Sequence, residues 1–287
     1  MQPDPAIILE TLSITEPLIG LYDAPDPAPF APLVEPAEAR ECVFASFARW
    51  REGKTLHITK KKHGCGAPHL LGVQNRTREE MVRFLVDEEG LRASHELMDL
   101  WLDAAPGYQP RHEHVLIGPL KAEQYDYLRS ITFYVNPDQL AVLVTGSSYY
   151  SRPGDPPVLA PFSSGCGQLA SVFSDLGGPQ AVVGATDQAM RKHLPPDVLA
   201  FTVTKPMFEL LCRWGDDAAS SLHNTFLKEV IAARGGLVLE RRGGRRRSLL
   251  AVRRACSGPR PLREPTRSFH RLRRNAHAAD VASRHGD

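Results

Sequence analysis

Two cysteines stand in sequence settings where a thiol could do chemistry. Cys65 lies in HGCGA and Cys166 in SSGCGQ, at points where a strand pattern gives way to a helix pattern. The flanking glycines are Gly64, Gly66, Gly165 and Gly167. Glycine permits positive φ and lets main-chain N–H groups approach a ligand closely. A helix N-terminus favours the thiolate, which is the form that metals, iron–sulfur clusters and redox pairs require.

Three nearby residues extend this candidate site. Cys42, on the segment before the first glycine-flanked cysteine, is a possible third thiolate. His63 and His69 flank Cys65, and imidazole either binds metal or carries protons. The sequence therefore predicts a thiolate site of Cys65, Cys166 and Cys42. Its cofactor would be an iron–sulfur cluster or a transition metal, and a dithiol redox pair is the metal-free form.

A structural interpretation of the same residues stays open. The sequence has no CxxC motif, the pattern most specific for a metal site. A cysteine between glycines also suits a tight turn, and Cys42 and Cys212 fit core positions on apolar helix faces. In that case the glycine-rich loops, with His63 and His69 beside them, would present main-chain amides to a small molecule or an anion.

The elements that must position these residues alternate between strand and helix patterns. Strands are predicted over 17–23, 55–59, 114–120, 130–135, 157–162, 181–186 and 198–203. Helices are predicted over 3–17, 37–51, 77–90, 95–103, 187–194, 205–214 and 218–233 and from Pro137 onward. Thr77 and Glu80 predict a capping box at the start of the third of these helices. The interleaving indicates an α/β or mixed α+β fold.

Two internal similarities indicate related halves. Residues 130–144 and 198–212 both read as strand, short loop and helix, and residues 55–67 and 157–170 both read as strand, loop, Gly-Cys-Gly and helix. A further motif, His112-Glu-His114, stands at a predicted strand entrance. An extended chain would place both imidazoles on one face, as two metal ligands require, and a solvated loop is the alternative interpretation.

Composition bounds the class of protein. The 287 residues are 42% hydrophobic and 24% charged, which is typical of a globular domain. No apolar run reaches the roughly 20 residues of a membrane span, and the N-terminus lacks a basic leader region. Five cysteines, an odd number, argue against a disulfide scaffold, so we expect a cytoplasmic protein with no membrane partner. No P-loop, GxGxxG, GxSxG or HExxH motif is present, and the sequence leaves substrate, enzyme activity and oligomeric state open.

Charge divides the chain into two parts. Residues 241–287 contain fourteen arginines, no lysine and three acidic residues, a net charge of +11, whereas residues 1–240 carry −9. We predict one domain over 1–240 and a separate tail over 241–287. The tail fits a basic arm that neutralises phosphates, a poorly ordered terminus, or GC-rich DNA translated out of frame. Arginine without lysine among Ala, Gly, Pro, Ser and His favours the third, so a nucleic-acid partner is not expected.

Several segments together resemble one family. They are PLIGLYD, CVFASFARWREGKTLHIT, HGCGAPHLLG, NPDQLAVLV, SSGCGQ and GATDQAMRKHLPPDVLAFTVTKPMFELL. Over roughly residues 5–235 the chain resembles the domain of unknown function 169 family of bacteria and archaea. The resemblance implies a family cysteine at the positions of Cys42, Cys65 and Cys166 and implies no settled activity. The tail departs from the family pattern.

Overall fold

A computed structural model describes most of the chain between residues 3 and 233. The described ranges are 3–36, 42–61, 65–73, 76–104, 108–152, 158–159 and 180–233. Several predicted site residues lie outside these ranges, as does the tail over 241–287; these residues are His63, Gly64, Gly165, Cys166 and Gly167. The predicted domain bounds therefore stay a prediction.

The described strands form one mixed sheet. They are β1 Ile19–Ala24, β2 Leu33–Val34, β3 Thr55–Ile58, β4 His114–Pro119, β5 Leu128–Val135, β6 Val158–Leu159, β7 Ala181–Gly184 and β8 Leu199–Thr204. Their order across the sheet is β2-β3-β4-β1-β5-β8-β7-β6. The outer pairs β2–β3 and β6–β7 are parallel, and the other neighbours are antiparallel.

Helices alternate with these strands, which confirms the predicted mixture of α and β structure. The described helices are α1 Ala6–Thr11, α2 Phe47–Arg51, α3 Ala67–Leu70, α4 Arg78–Arg83, α5 His95–Ala104, α6 Pro137–Ser148, α7 Gln188–Arg191, α8 Lys205–Asp216 and α9 Thr225–Ala233. The predicted capping box is confirmed, because Thr77 and Glu80 exchange side-chain and main-chain hydrogen bonds before α4. In the described part of the chain, no helix is both long enough and apolar enough to cross a membrane.

Each face of the sheet is covered by its own apolar cluster. Along β4, Val115 and Ile117 belong to one cluster and Leu116 to the other, as the two-residue period of a strand dictates. We call these sides face 1 and face 2. Residues of α2, α3, α4, α5 and α7 pack on face 1, and residues of α1, α6, α8 and α9 pack on face 2. The result is a sheet between two helical layers.

The sheet divides into two halves of the same topology. Strands β1–β4 follow the order β1-β4-β3-β2 and strands β5–β8 follow β5-β8-β7-β6, with β1 and β5 paired at the centre. The internal similarities in the sequence do not follow this division, because they match β5 with β8 and β3 with β6. Neighbouring strands β5 and β8 share both helical layers, and Phe133 lies directly opposite Phe201. Shared burial therefore gives them similar apolar patterns.

Several predicted helices are shorter than expected. The helix predicted over 3–17 is α1 Ala6–Thr11 alone. The helix predicted over 37–51 is α2 alone within the described residues, and residues 42–46 before it are not helical. In this segment the hydroxyl of Tyr134 donates to the main-chain carbonyl of Phe44. The carbonyl is therefore engaged in a tertiary hydrogen bond instead of a helical one. The helix predicted from 218 begins only at Thr225, because the Asn224 side chain accepts from the Leu227 amide and caps it there.

Candidate functional site

Cys65 lies at the junction between β3 and α3 on face 1. Its side chain is partly buried against the face 1 cluster. The main-chain N–H of Ala67 donates to its Sγ over 3.4 Å. The expected help from a helix dipole is small, since α3 has only four residues. The Ala67 amide is thus a local donor that can stabilise negative charge on this sulfur.

Glycine is required at position 66 by close packing and not by an unusual backbone conformation. Its φ is −76°, so the positive φ that glycine permits is not used here. A Cβ at this position would stand 2.7 Å from Cε of Met81 and 3.2 Å from Cε1 of Phe84. The missing side chain therefore lets α4 and the π-helical segment that continues it, Phe84–Glu88, approach the start of α3.

Cys42 lies in the same apolar layer as Cys65. It is 7% exposed and belongs to the face 1 cluster, against which Cys65 packs. The segment is fixed by the hydrogen bond from Tyr134 to Phe44 and by Trp50, whose ring stacks on Tyr134 with centroids 5.7 Å apart. Two of the three predicted thiols thus share one cluster, and Cys166 lies outside the described residues. Within the described ranges, no three His, Cys, Asp or Glu side chains are grouped to hold a metal ion.

The remaining described candidates have structural surroundings. Nδ1 of His69 lies 3.2 Å from the carbonyl oxygen of Arg76, to which it donates. Burial, together with the charges of Arg76 and Arg78, lowers the pKa of His69. Cys212 is 3% exposed, and burial raises the pKa of its thiol to about 12, in keeping with the predicted core role.

The end of α3 is attached to a second loop. The amides of Gly72 and Val73 donate to the carbonyls of His69 and Pro68, which is the Schellman pattern of helix termination. The Tyr108 amide then donates to the carbonyl of Leu70 over 2.8 Å. The segment carrying Cys65 is therefore held from the side by the 108–110 loop.

That loop closes over a buried carboxylate, Asp23 on β1. Asp23 is fully buried on the side of face 1. Its Oδ2 accepts from the Tyr108 hydroxyl and the Arg111 amide, each over 2.7 Å, and its Oδ1 accepts from the His112 amide over 2.8 Å. Burial alone would raise the pKa of Asp23, but these donors and the charge of Arg129 outweigh burial and hold that pKa below 3.8.

A β-bulge supplies the charge partner. Leu21 pairs with Ser130 and Tyr22 with Leu128, so Arg129 is the extra residue on β5. Its Nε lies 3.5 Å from Oδ2 of Asp23. The bulge therefore turns the guanidinium toward the buried carboxylate.

Sequence reasoning missed this network of Asp23, Tyr108, Arg111, His112 and Arg129. The available signal was an acidic residue within the apolar strand pattern PLIGLYD. A charged residue in a buried strand requires partners, yet those partners come from segments about 90 residues away.

Replacing Tyr108 by phenylalanine tests this link between Asp23 and the α3 segment. The substitution removes one hydrogen bond to a buried charge, so we expect the free energy of unfolding to fall by about 1.5–3 kcal/mol in urea denaturation. Tyr150→Phe is the control, because Tyr150 is exposed and lies outside the network. A loss below about 0.5 kcal/mol for Tyr108→Phe would show that the network does not depend on this donor.

The His112-Glu-His114 motif does not form a ligand pair. Ring Nδ1 of His112 lies 3.2 Å from Oδ1 of Asp23, whereas His114 is the first residue of β4 and contacts His57 on β3. The two imidazoles take different partners because His112 lies in the loop before β4 and turns toward face 1.

Fold and site define a mixed α/β protein with two helical layers, in which a cysteine-bearing loop is tied to a buried ionic network. Residues 9–213 match the model of a family described as domain of unknown function 169, an uncharacterised ArCR. The chain belongs to this family, which confirms the resemblance seen in the sequence. No curated protein and no solved structure matches the chain.

Proposed function

We propose that this chain carries a thiolate site in which Cys65 is the reactive group, working with Cys166 and Cys42. The observation that carries the proposal is the Ala67 N–H directed at the Cys65 sulfur from 3.4 Å. A donor at this distance stabilises negative charge on sulfur, and the partial exposure of Cys65 gives reagents access. Cys212 has the opposite environment in the same fold.

The form of the chemistry depends on the ligands that join Cys65. Among the described residues no three His, Cys, Asp or Glu side chains are grouped for a metal ion, so a metal ion or an iron–sulfur cluster at Cys65 would need Cys166. Bound there, such a group would supply Lewis-acid or electron-transfer chemistry. Without it, two thiols can act as a redox pair, losing two electrons and two protons to an acceptor as a disulfide forms.

Cys65 is expected to be the fast-reacting thiol of the described region. With the full chain under a chelator at pH 7.5, iodoacetamide should modify Cys65 at least roughly a hundredfold faster than Cys212, because a thiol with a pKa of about 12 is almost entirely protonated there. Mass spectrometry of the peptides gives the rate for each cysteine. Cys65→Ser should remove the fast reaction, and Cys212→Ser is the matched control that should leave it unchanged.

Metal and acid-labile sulfide should be measured on the same full chain purified anaerobically. Stoichiometric iron and sulfide, or zinc, that is lost in Cys65→Ser supports the metal form. A metal-free protein with rapid Cys65 labelling supports the redox pair. A metal-free protein in which Cys65 reacts as slowly as Cys212 would contradict the proposal.

Binding of a small molecule or anion is the second candidate function, and buried polar groups on the sheet favour it. Thr132 and Thr202 are 3% and 0% exposed and share a 2.8 Å hydroxyl contact between β5 and β8. They alternate with face 2 residues and so point toward face 1. On β5, which also carries Thr132, Nε of Arg129 lies 3.5 Å from Oδ2 of Asp23 and has no hydrogen-bond partner among the described residues. A guanidinium on the strand that carries one of these hydroxyls is suited to oxyanions.

Inorganic phosphate separates the two candidates. A phosphate-dependent rise in Tm that survives Cys65→Ser but disappears in Arg129→Gln supports ligand binding with structural cysteines. If Tm does not respond to phosphate, the oxyanion form of the second candidate is wrong.

A further inference from the structure

Two histidines meet on face 2, away from the cysteines. His57 lies between Leu56 and Ile58, which both belong to face 1, so its side chain points to face 2. His114 precedes Val115 of face 1 and therefore also points to face 2. The register places His57 opposite Leu116, which makes the two histidines diagonal neighbours on adjacent strands.

The distance between their ring nitrogens suits a shared metal ion. Nε2 of His57 lies 3.2 Å from Nδ1 of His114. In a tetrahedral zinc site with Zn–N bonds of about 2.0–2.1 Å, two ligand nitrogens stand roughly 3.3–3.4 Å apart. Both histidines are partly exposed, so an ion can enter, and both are carried by hydrogen-bonded strands, so little backbone movement is needed.

A neighbouring carboxylate also favours a cation. Glu35 directly follows β2, whose residue Val34 pairs with Leu56, so Glu35 stands beside His57. Its carboxylate acts on His57 electrostatically and also pairs with Lys61 over 3.3 Å. Burial and the neighbouring His114 lower the pKa of His57.

We propose that His57 and His114 form a two-imidazole binding site for a divalent transition metal ion, of which Zn²⁺ is the test case. Water or an added ligand completes the coordination, and Glu35 is the carboxylate that acts electrostatically on His57. This is consistent with the lack of a three-ligand group among the described residues. The site is independent of the thiolate function, because it lies on the opposite face of the sheet.

Titration of Zn²⁺ into the full chain carrying Cys65→Ser tests the site without that thiol. We expect one equivalent whose affinity falls at least roughly tenfold in His57→Gln and in His114→Gln. His95→Gln is the matched control and should leave the affinity unchanged, since His95 is an exposed histidine on α5 whose partner is Asp87. Glu35→Gln should weaken binding less than either histidine variant.

Imidazole ¹⁵N shifts of the unsubstituted chain give a measurement that does not depend on variant folding. One equivalent of Zn²⁺ should move the ring resonances of His57 and His114 together. Equal Zn²⁺ affinity in the parent and both histidine variants, or unmoved resonances for this pair, would overturn the proposal and leave an ordinary hydrogen bond between two rings.

Discussion

Asp23→Asn is expected to lower the free energy of unfolding by about 3–5 kcal/mol, as measured by urea denaturation of the full chain. The side chain is fully buried, and its oxygens accept from Tyr108, Arg111 and His112. An amide of the same shape has one acceptor oxygen, so its NH₂ group must face a donor. The substitution also leaves Arg129 without its 3.5 Å charge partner.

The matched control is Asp99→Asn. Asp99 also pairs with an arginine, Arg78, but its side chain is 49% exposed, so its loss should cost less than about 1 kcal/mol. Equal losses at the two positions would show that the buried network contributes no more stability than a surface ion pair.

The difference in the free energy of unfolding between wild type and Asp23→Asn should become smaller at acidic pH. The folded pKa of Asp23 lies below 3.8, so around and below that pH the unfolded chain binds more protons than the folded one. The stability that this carboxylate supplies is present above pH 3.8 and is lost as the pH falls through the folded value. Urea denaturation of both proteins between pH 7 and pH 3 measures this difference in the free energy of unfolding. A difference that stays constant over this range would contradict a lowered pKa for Asp23.

Gly72→Ala is expected to lower the free energy of unfolding by about 2–5 kcal/mol and to displace the segment that carries Cys65. The φ of Gly72 is +77°, which costs an L-residue roughly 1–2 kcal/mol. An added Cβ would also stand 2.3 Å from the carbonyl oxygen of Tyr108 and 2.3 Å from Cδ of Pro110. Main-chain atoms cannot move aside as easily as the end of a flexible side chain. A packing cost of about 1–3 kcal/mol is therefore added to the cost of the backbone strain.

Gly53→Ala provides a control with the same backbone strain. The φ of Gly53 is +72°, and nothing lies within 4 Å of the position of its Cβ. Its cost should therefore be the strain alone, roughly 1–2 kcal/mol. Thermal or urea unfolding of the two variants separates strain from contact, and equal losses would mean that the 108–110 loop moves freely away from α3. Iodoacetamide labelling of Cys65 should change in Gly72→Ala only.

Local patterns determined much of the architecture. The alternation along β4 and β5, the caps at Thr77 and Asn136, and the order of strands and helices all depend on residues within a few positions of one another. For that reason the sequence was sufficient for the mixed α/β fold. The family resemblance rested on the same run of segments and is confirmed over residues 9–213.

Long-range contacts decided the rest. Residues 42–46 have an apolar pattern that fits a helix, but a hydrogen bond from Tyr134 to Phe44 and the burial of Cys42 hold them in another conformation. The similarity of β5 and β8 reflects burial between the same layers, whereas the related halves are visible only in the strand order.

The sequence by itself predicted candidate residues for chemistry, including Cys65, Cys42, His112 and His114, because residue type determines which reactions are open to a side chain. Only the tertiary structure decided their partners. In the folded chain His112 contacts Asp23 and His114 contacts His57, and a β-bulge places Arg129 beside Asp23. These pairings join residues up to 106 positions apart in the chain. Strand register brings them together, and no local pattern encodes such distances.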